Sequence, residues 1–185
     1  MNQPIFLLFL LVLLLGCREN NGDNVNPNSD LRSEHSLSTD SLYALAMLSY
    51  EAEDYSKAIQ YFDALLLQDS LVSDAWHDRG LCYYMIENYP QAEQDVRTSM
   101  RLDSTYAPGW LQLGMIYTKT RKTEMALAAL KQSLTIDSTL APAWFEEGAI
   151  YMDLKKVNEA CFRFQKAANL GYEPAKKALA QFCYE

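Results

Sequence analysis

Apolar residues in this chain recur at two spacings at once. The short spacing is helical. Trp110, Leu113, Gly114 and Tyr117 fall at i, i+3, i+4 and i+7, which is one face of an α-helix. The long spacing is 34 residues. It separates Trp76, Trp110 and Trp144, and likewise Gly80, Gly114 and Gly148. The alanines Ala58, Ala92, Ala126 and Ala160 follow it, as do the pairs Asp69-Ser70, Asp103-Ser104 and Asp137-Ser138. A fixed period of this size marks stacked supersecondary units, each too small to bury its own apolar face.

The period divides the chain into units 39–72, 73–106, 107–140 and 141–174 without insertions. Each unit predicts a helix, a tight turn and a second helix. Pro108 and Pro142 suit the first turn of a helix, where a missing N–H costs little. The second helix covers 93–102 in the second unit and 124–136 in the third. Polar loops such as Asp103-Ser104-Thr105 close the units. Gly80 and Ala92, Gly114 and Ala126, and Gly148 and Ala160 lie twelve apart, one on each helix of a hairpin. Side chains this small let two backbones approach closely. The first unit uses Ala46 with Ala58. The Trp column and Tyr83, Tyr117 and Tyr151 are expected to fill the space between successive hairpins. Gly171-Tyr172-Glu173-Pro174 stops one helix and starts another. Residues 175–185 then predict a capping helix, with Lys176, Lys177 and Gln181 on its polar face.

These residues resemble the tetratricopeptide repeat, whose signature runs Trp, Leu, Gly, Tyr, Ala, an aromatic, then Pro. The third unit carries Trp110, Leu113, Gly114, Tyr117 and Ala126. The second carries Trp76, Gly80, Tyr83, Tyr89 and Ala92, with Arg79 where the family has Leu; the fourth has Glu147 there. Ser70, Ser104 and Ser138 replace the closing Pro, and the first unit has Leu42 for Trp and Ser49 for Tyr. The resemblance covers 136 residues, four units of 34. It implies an all-α fold: a right-handed helical solenoid of four helix-turn-helix repeats plus a C-terminal capping helix.

Residues 5–15 are an uninterrupted apolar run, too short to span a bilayer and of the length of a signal peptide's apolar segment. The run ends in Leu14-Leu15-Gly16-Cys17, which resembles a bacterial lipobox. That resemblance implies a cleaved signal peptide over 1–16 and a diacylated Cys17 as the new N-terminus. No Lys or Arg precedes the run, which departs from the pattern. An ordinary cleaved signal, or a core helix, is the other reading. Two acyl chains hold firmly to a membrane, at ~0.8 kcal/mol per buried methylene. Arg18 rather than Asp follows the cysteine, which by analogy with lipoprotein sorting points to the outer membrane of a cell envelope. Residues 17–38 are rich in Asn, Ser, Asp and Glu and predict a disordered tether. As a flexible coil it spans roughly 25 Å.

Composition narrows the partners. Apolar residues make up 49% of 185, enough for a core in one domain of ordinary size. The net charge of −8 argues against nucleic acid, because phosphate binding needs a basic face. The first helix of each unit carries a second stripe, offset by one residue from the core stripe. It reads Tyr43, Met47, Tyr50; His77, Leu81, Tyr84; Leu111, Met115, Thr118; and Phe145, Ala149, Met152. The resemblance implies that this stripe lines a concave surface where such domains hold peptides. Asp40, Glu51, Asp74, Asp78, Glu146 and Asp153 accompany it, and Lys119 is the only basic residue beside them. Family members that clamp a partner's C-terminal carboxylate use Lys, Arg and Asn here. The expected partner is therefore an apolar or basic protein segment. In the alternative reading the stripe only packs neighbouring helices, or the tether covers it.

Candidate chemistry is sparse. His35 lies in the tether and His77 on the stripe, neither with a Cys or second His at ligand spacing. His77 with Asp74 and Asp78 is the one cluster an enzyme could use, and it stands as a remote alternative. No phosphate loop, nucleophile elbow or carboxylate pair is recognisable, so no catalytic residue, metal or cofactor is assigned. Cys161 and Cys183 each stand eleven residues from Tyr172, at the turn of the last hairpin. Folding there brings them level, so they are a candidate disulfide in an exported protein; otherwise they are two small core residues. The sequence reads as a non-catalytic lipoprotein for protein–protein interaction, or more narrowly as a pilotin-like assembly factor for a secretion or pilus system.

Overall fold

The computed structural model describes residues 37–183. Cys17, the signal segment and nearly all of the proposed tether lie outside them. Among the described residues the chain forms four helical hairpins and a closing helix: α1 (Thr39–Glu51) with α2 (Tyr55–Gln68), α3 (Ser73–Met85) with α4 (Tyr89–Leu102), α5 (Ala107–Lys119) with α6 (Thr123–Ile136), α7 (Ala141–Asp153) with α8 (Val157–Asn169), and α9 (Glu173–Phe182). The fold is an all-α solenoid of helix-turn-helix repeats. α4 starts at Tyr89, four residues before the expected 93, because Pro90 sits in its first turn. No described helix is long and apolar enough to cross a membrane.

The turn inside each hairpin is the same motif four times. The N–H of Asp54 reaches Ser49 O and that of Glu53 reaches Tyr50 O, with the same pair repeated at 88/87, 122/121 and 156/155. This double closure is a Schellman cap, which uses a left-handed residue after the helix. Here those residues are Glu53, Glu87, Arg121 and Lys155, with φ from 59° to 62°. No glycine marks the turn, so the repeating backbone is held by the hairpin's packing and not by local preference.

That packing is set by the small-residue columns. Ala46, Ala58, Ala92, Ala126 and Ala160 are fully buried. A Cβ on Gly114 would lie 2.7 Å from the Leu130 side chain and 3.5 Å from Ala126 O. One on Gly148 would lie 2.7 Å from the Phe164 ring and 3.3 Å from Ala160 O. At Gly80 the closest atom is a Val96 methyl at 3.1 Å. The glycine thus makes room first for the large residue sixteen positions on, and second for the alanine backbone.

The two departures from the family pattern pair up. Arg79 reaches across its hairpin to Asp95, with Nε–Oδ2 2.7 Å and Nη2–Oδ1 2.8 Å. Glu147 faces Arg163, whose Nε lies 3.3 Å from Oε2 but off the line of a hydrogen bond. The same two places hold Leu113 and Ala129 in the third hairpin, and Leu45 and Tyr61 in the first. Each pair lies sixteen residues apart and each is complementary in charge or size. Asp95 is 1% exposed. Burial pushes its carboxyl above the usual range, with Arg79 working against that shift. A second carboxylate, Asp63 of the preceding hairpin, takes Arg79 Nη1 at 2.6 Å.

Between hairpins, the second helix of one packs on the first helix of the next. Cys82 and Ile116 are fully buried there and Ile150 is 3% exposed, whereas Leu48, one period earlier, is 63% exposed because no described helix lies on that side of α1. The Tyr117 hydroxyl sits between Glu93 and Arg97 of α4, at 2.9 and 2.6 Å. The linking loops are Asx turns. Asp69, Asp103 and Asp137 accept from the N–H two residues on, at 2.9, 2.9 and 2.8 Å. The loops also anchor two tryptophans: Trp76 Nε1 donates to Ser70 O and Trp144 Nε1 to Ser138 O, both at 2.9 Å. The Asx turn shapes the loop without the family's proline.

α9 covers the last hairpin with Ala175, Ala178 and Leu179, all buried. Cys161 of α8 and Cys183 at the end of α9 are joined in a disulfide, with Cα atoms 5.7 Å apart. Cys82 is a buried free thiol, its pKa pushed up to about 12, mainly by burial.

Two outcomes follow for stability. Arg79→Leu alone leaves Asp95 buried without its cation and is expected to cost about 3–5 kcal/mol. Adding Asp95→Ala installs the pair of the third hairpin and should restore most of that loss. Urea titrations of both variants check this; equal losses would contradict the pairing. Intact mass measurement without reductant should find the 161–183 link closed, and Cys161→Ser with Cys183→Ser should lower the melting temperature and loosen α9 first. Two free thiols in the unreduced protein would remove the link.

Candidate functional site

The first helices of successive hairpins lie side by side and form one wall of the solenoid. Their offset stripe is half-buried along its whole length, and its aromatic members are engaged by neighbours. The Tyr43 ring meets Phe62 edge-on, with centroids 5.8 Å apart. Tyr50 meets Tyr55 at 5.5 Å, Tyr84 meets Tyr89 at 5.8 Å, and Phe145 lies 5.4 Å from both Phe164 and Tyr172. Met47 packs on the first core cluster, Leu111 on the second and Met152 on the third. Leu81 and Met115 are half-buried between them. The wall is therefore a firm surface of ring faces and edges, fixed before any partner arrives.

Acidic groups punctuate the wall at two places. At the first, the Asp78 carboxylate accepts from the Tyr43 hydroxyl of the preceding hairpin and lies 3.1 Å from His77 Nδ1. The His77 ring stands edge-on to Tyr106 at 5.0 Å. Burial, then Asp78, pushes the Tyr43 hydroxyl well above its usual range. Tyr106 is pushed up to about 12 by burial and then by Asp78 and Asp74. Asp74 itself is exposed. At the second place, burial pushes the Glu146 carboxyl above its usual range, with Lys119 partly offsetting this. Their own burial, then the Glu146 charge, pushes Tyr84 up to about 12 and raises Tyr172. Asp40, Glu51 and Asp153 are exposed around the wall, as is Lys119.

The arrangement brings His77 and Asp78 together but leaves Asp74 in solvent. Asp78 is already occupied by a phenol and an imidazole. Among the described residues no group of three side chains is placed to hold a metal ion. Three residues join the site that the stripe pattern does not reveal. Tyr106 and Tyr172 lie in the linking loops, beyond the helical periodicity. Gln112, one period from Asp78 and from Glu146, is 2% exposed with both amide atoms unpartnered. Its signal was the shared column of Asp78, Gln112 and Glu146, polar residues at one place in three hairpins.

The family model for the tetratricopeptide repeat matches residues 107–140, the third hairpin. No curated protein matches the sequence significantly. Solved structures do resemble the fold. MamA is 20% identical over 80% of this chain and 86% of its own, with a TM-score of 0.67. YrrB, described as a tetratricopeptide-repeat protein with an unusual peptide-binding site, is 19% identical over 80% of this chain and 74% of its own, with a TM-score of 0.59. The Cut9–Hcn1 hetero-tetramer of the APC/C gives 20% identity over 80% of this chain and 28% of that one, with a TM-score of 0.71. The described chain is an all-α solenoid of the tetratricopeptide-repeat type.

Proposed function

We propose that the protein is a non-catalytic scaffold that holds an apolar or basic segment of a partner protein on the wall of first helices, at a bacterial envelope membrane. The observation that carries this reading is the pairing of fixed ring surfaces with acidic groups, Asp78 and Asp74 at one place and Glu146 at the other, none of them in an ion pair with a Lys or Arg among the described residues. Burying apolar side chains of a partner against Tyr84, Met115 and Phe145 supplies affinity, and rigid stacking keeps the ordering cost low. A Lys or Arg of the partner beside Glu146 supplies orientation more than strength. One structural neighbour's description as peptide-binding supports a surface of this kind. Diacylation at Cys17 supplies the membrane hold, and the Asn- and Ser-rich residues after it supply reach.

The test uses crosslinking and affinity capture from native membranes, with the captured protein identified and then quantified against variants. Tyr84→Ala with Met115→Ala is expected to cut capture at least roughly tenfold, given the weight of central aromatic anchors, while helicity stays unchanged. Glu146→Gln should weaken capture less and flatten its salt dependence. Undiminished capture by the double variant would remove the wall from the account. A mature chain that partitions into the aqueous phase without acyl groups would remove the anchor and leave the wall standing.

A further inference from the structure

The third hairpin carries an unfilled place on the flank that Trp110 and Leu113 line. In the second hairpin, Arg79 spans to Asp95 and lays its guanidinium 4.7 Å from the Trp76 ring. In the fourth, Arg163 faces Glu147 and lies 4.2 Å from the Tyr151 ring. In the third, the corresponding residues are Leu113 and Ala129, and among the described residues no cation lies over the Trp110 ring. Two open hollows result, of about 470 Å³ and 380 Å³, and both are lined by Arg97, Trp110 and Leu113. Met100 continues the apolar floor on one side, and Met125 and Ala129 continue it on the other.

At this place one donor lacks an acceptor and one cation lacks a carboxylate. Trp110 Nε1 is sealed from solvent without a hydrogen bond, whereas the equivalent N–H groups of Trp76 and Trp144 are anchored to loop carbonyls. Arg101, on the rim of the larger hollow, bonds only Thr98 Oγ1, at 3.0 Å, and has no carboxylate partner among the described residues. Arg97 beside it is already neutralised by Glu93. An apolar floor beside a guanidinium that no carboxylate pairs with selects an anion with an apolar body. The trough is open along its length, which fits side chains of a docked segment better than an enclosed small molecule.

We propose that this trough is a second docking surface, taking an acidic segment of a partner protein whose Phe or Leu lies on Trp110 while a neighbouring Asp or Glu meets Arg101. It is independent of the acidic wall, which selects the opposite charge. A chain with both surfaces can hold two partners of unlike charge at once.

The test follows the three indole N–H resonances of the isotope-labelled full chain as the capped peptide acetyl-Glu-Phe-Glu-amide is added. Trp76 and Trp144 serve as internal references. The expected result is a saturable movement of the Trp110 resonance alone, weakened by salt and absent with acetyl-Lys-Phe-Lys-amide. Arg101→Gln, an exposed change that spares the fold, should weaken binding by up to roughly fivefold. Leu113→Arg with Ala129→Asp plants the second hairpin's ion pair in the trough and should abolish binding in a folded chain. A still Trp110 resonance, equal movement with both peptides, or unaltered affinity in Arg101→Gln overturns the proposal. So does phenylpropanoate binding as tightly as the peptide, which would make the trough a small-carboxylate site.

Discussion

The close approach of the two helices in each hairpin is the constraint on which the rest of this molecule depends. It is possible only because a residue with little or no side chain stands on each helix at the crossing. Once the backbones are that near, the side chains above and below the crossing are confined. Val96, Leu130 and Phe164 are pressed against the glycines. The places on the other flank hold an ion pair in two hairpins, Arg79 with Asp95 and Glu147 with Arg163, and the smaller Leu113 with Ala129 in the third, where hollows open beside Trp110. The turn obeys the same constraint. Charged residues accept a left-handed backbone at four equivalent positions because the hairpin's packing demands it there.

Stacking then follows from what a single hairpin cannot do. Each second helix leaves an apolar face that only the next first helix covers, so stability accrues between neighbours. Leu48 of α1 shows the matching first-helix face with no described helix on it. At the other end α9 supplies cover, and the bond from Cys161 to Cys183 ties it to α8. A short helix with one apolar edge has little area of its own to hold it in place, and a covalent tie reduces the freedom it recovers on detaching.

Much of this was legible in the sequence. The 34-residue spacing of Trp, Gly and Ala gave the hairpins, their number and the columns at the crossing. It also marked Arg79 and Glu147 as departures. It did not reveal that each had a partner sixteen residues on, because a pair across a hairpin carries no periodic signal of its own. Tyr106 and Tyr172 were hidden in loops where helical spacing says nothing, whereas Gln112 shows only as one member of the polar column with Asp78 and Glu146. The stripe on the first helices was legible as a pattern. That its rings are already packed edge-on against Phe62, Tyr55 and Tyr89 was not, since those contacts cross from one helix to another.

The wall of first helices and the trough beside Trp110 both inherit their shape from the helix crossings, so the crossings are where the account is most exposed. Stability of the three single variants Gly80→Ala, Gly114→Ala and Gly148→Ala, measured under one set of conditions, tests them directly. Helix propensity alone favours alanine by about 1 kcal/mol at each position. Confinement predicts the reverse, with losses of roughly 1–3 kcal/mol at Gly114 and Gly148 and a smaller loss at Gly80, in the order of the space the glycines leave. Three variants that all melt higher than the parent would contradict it.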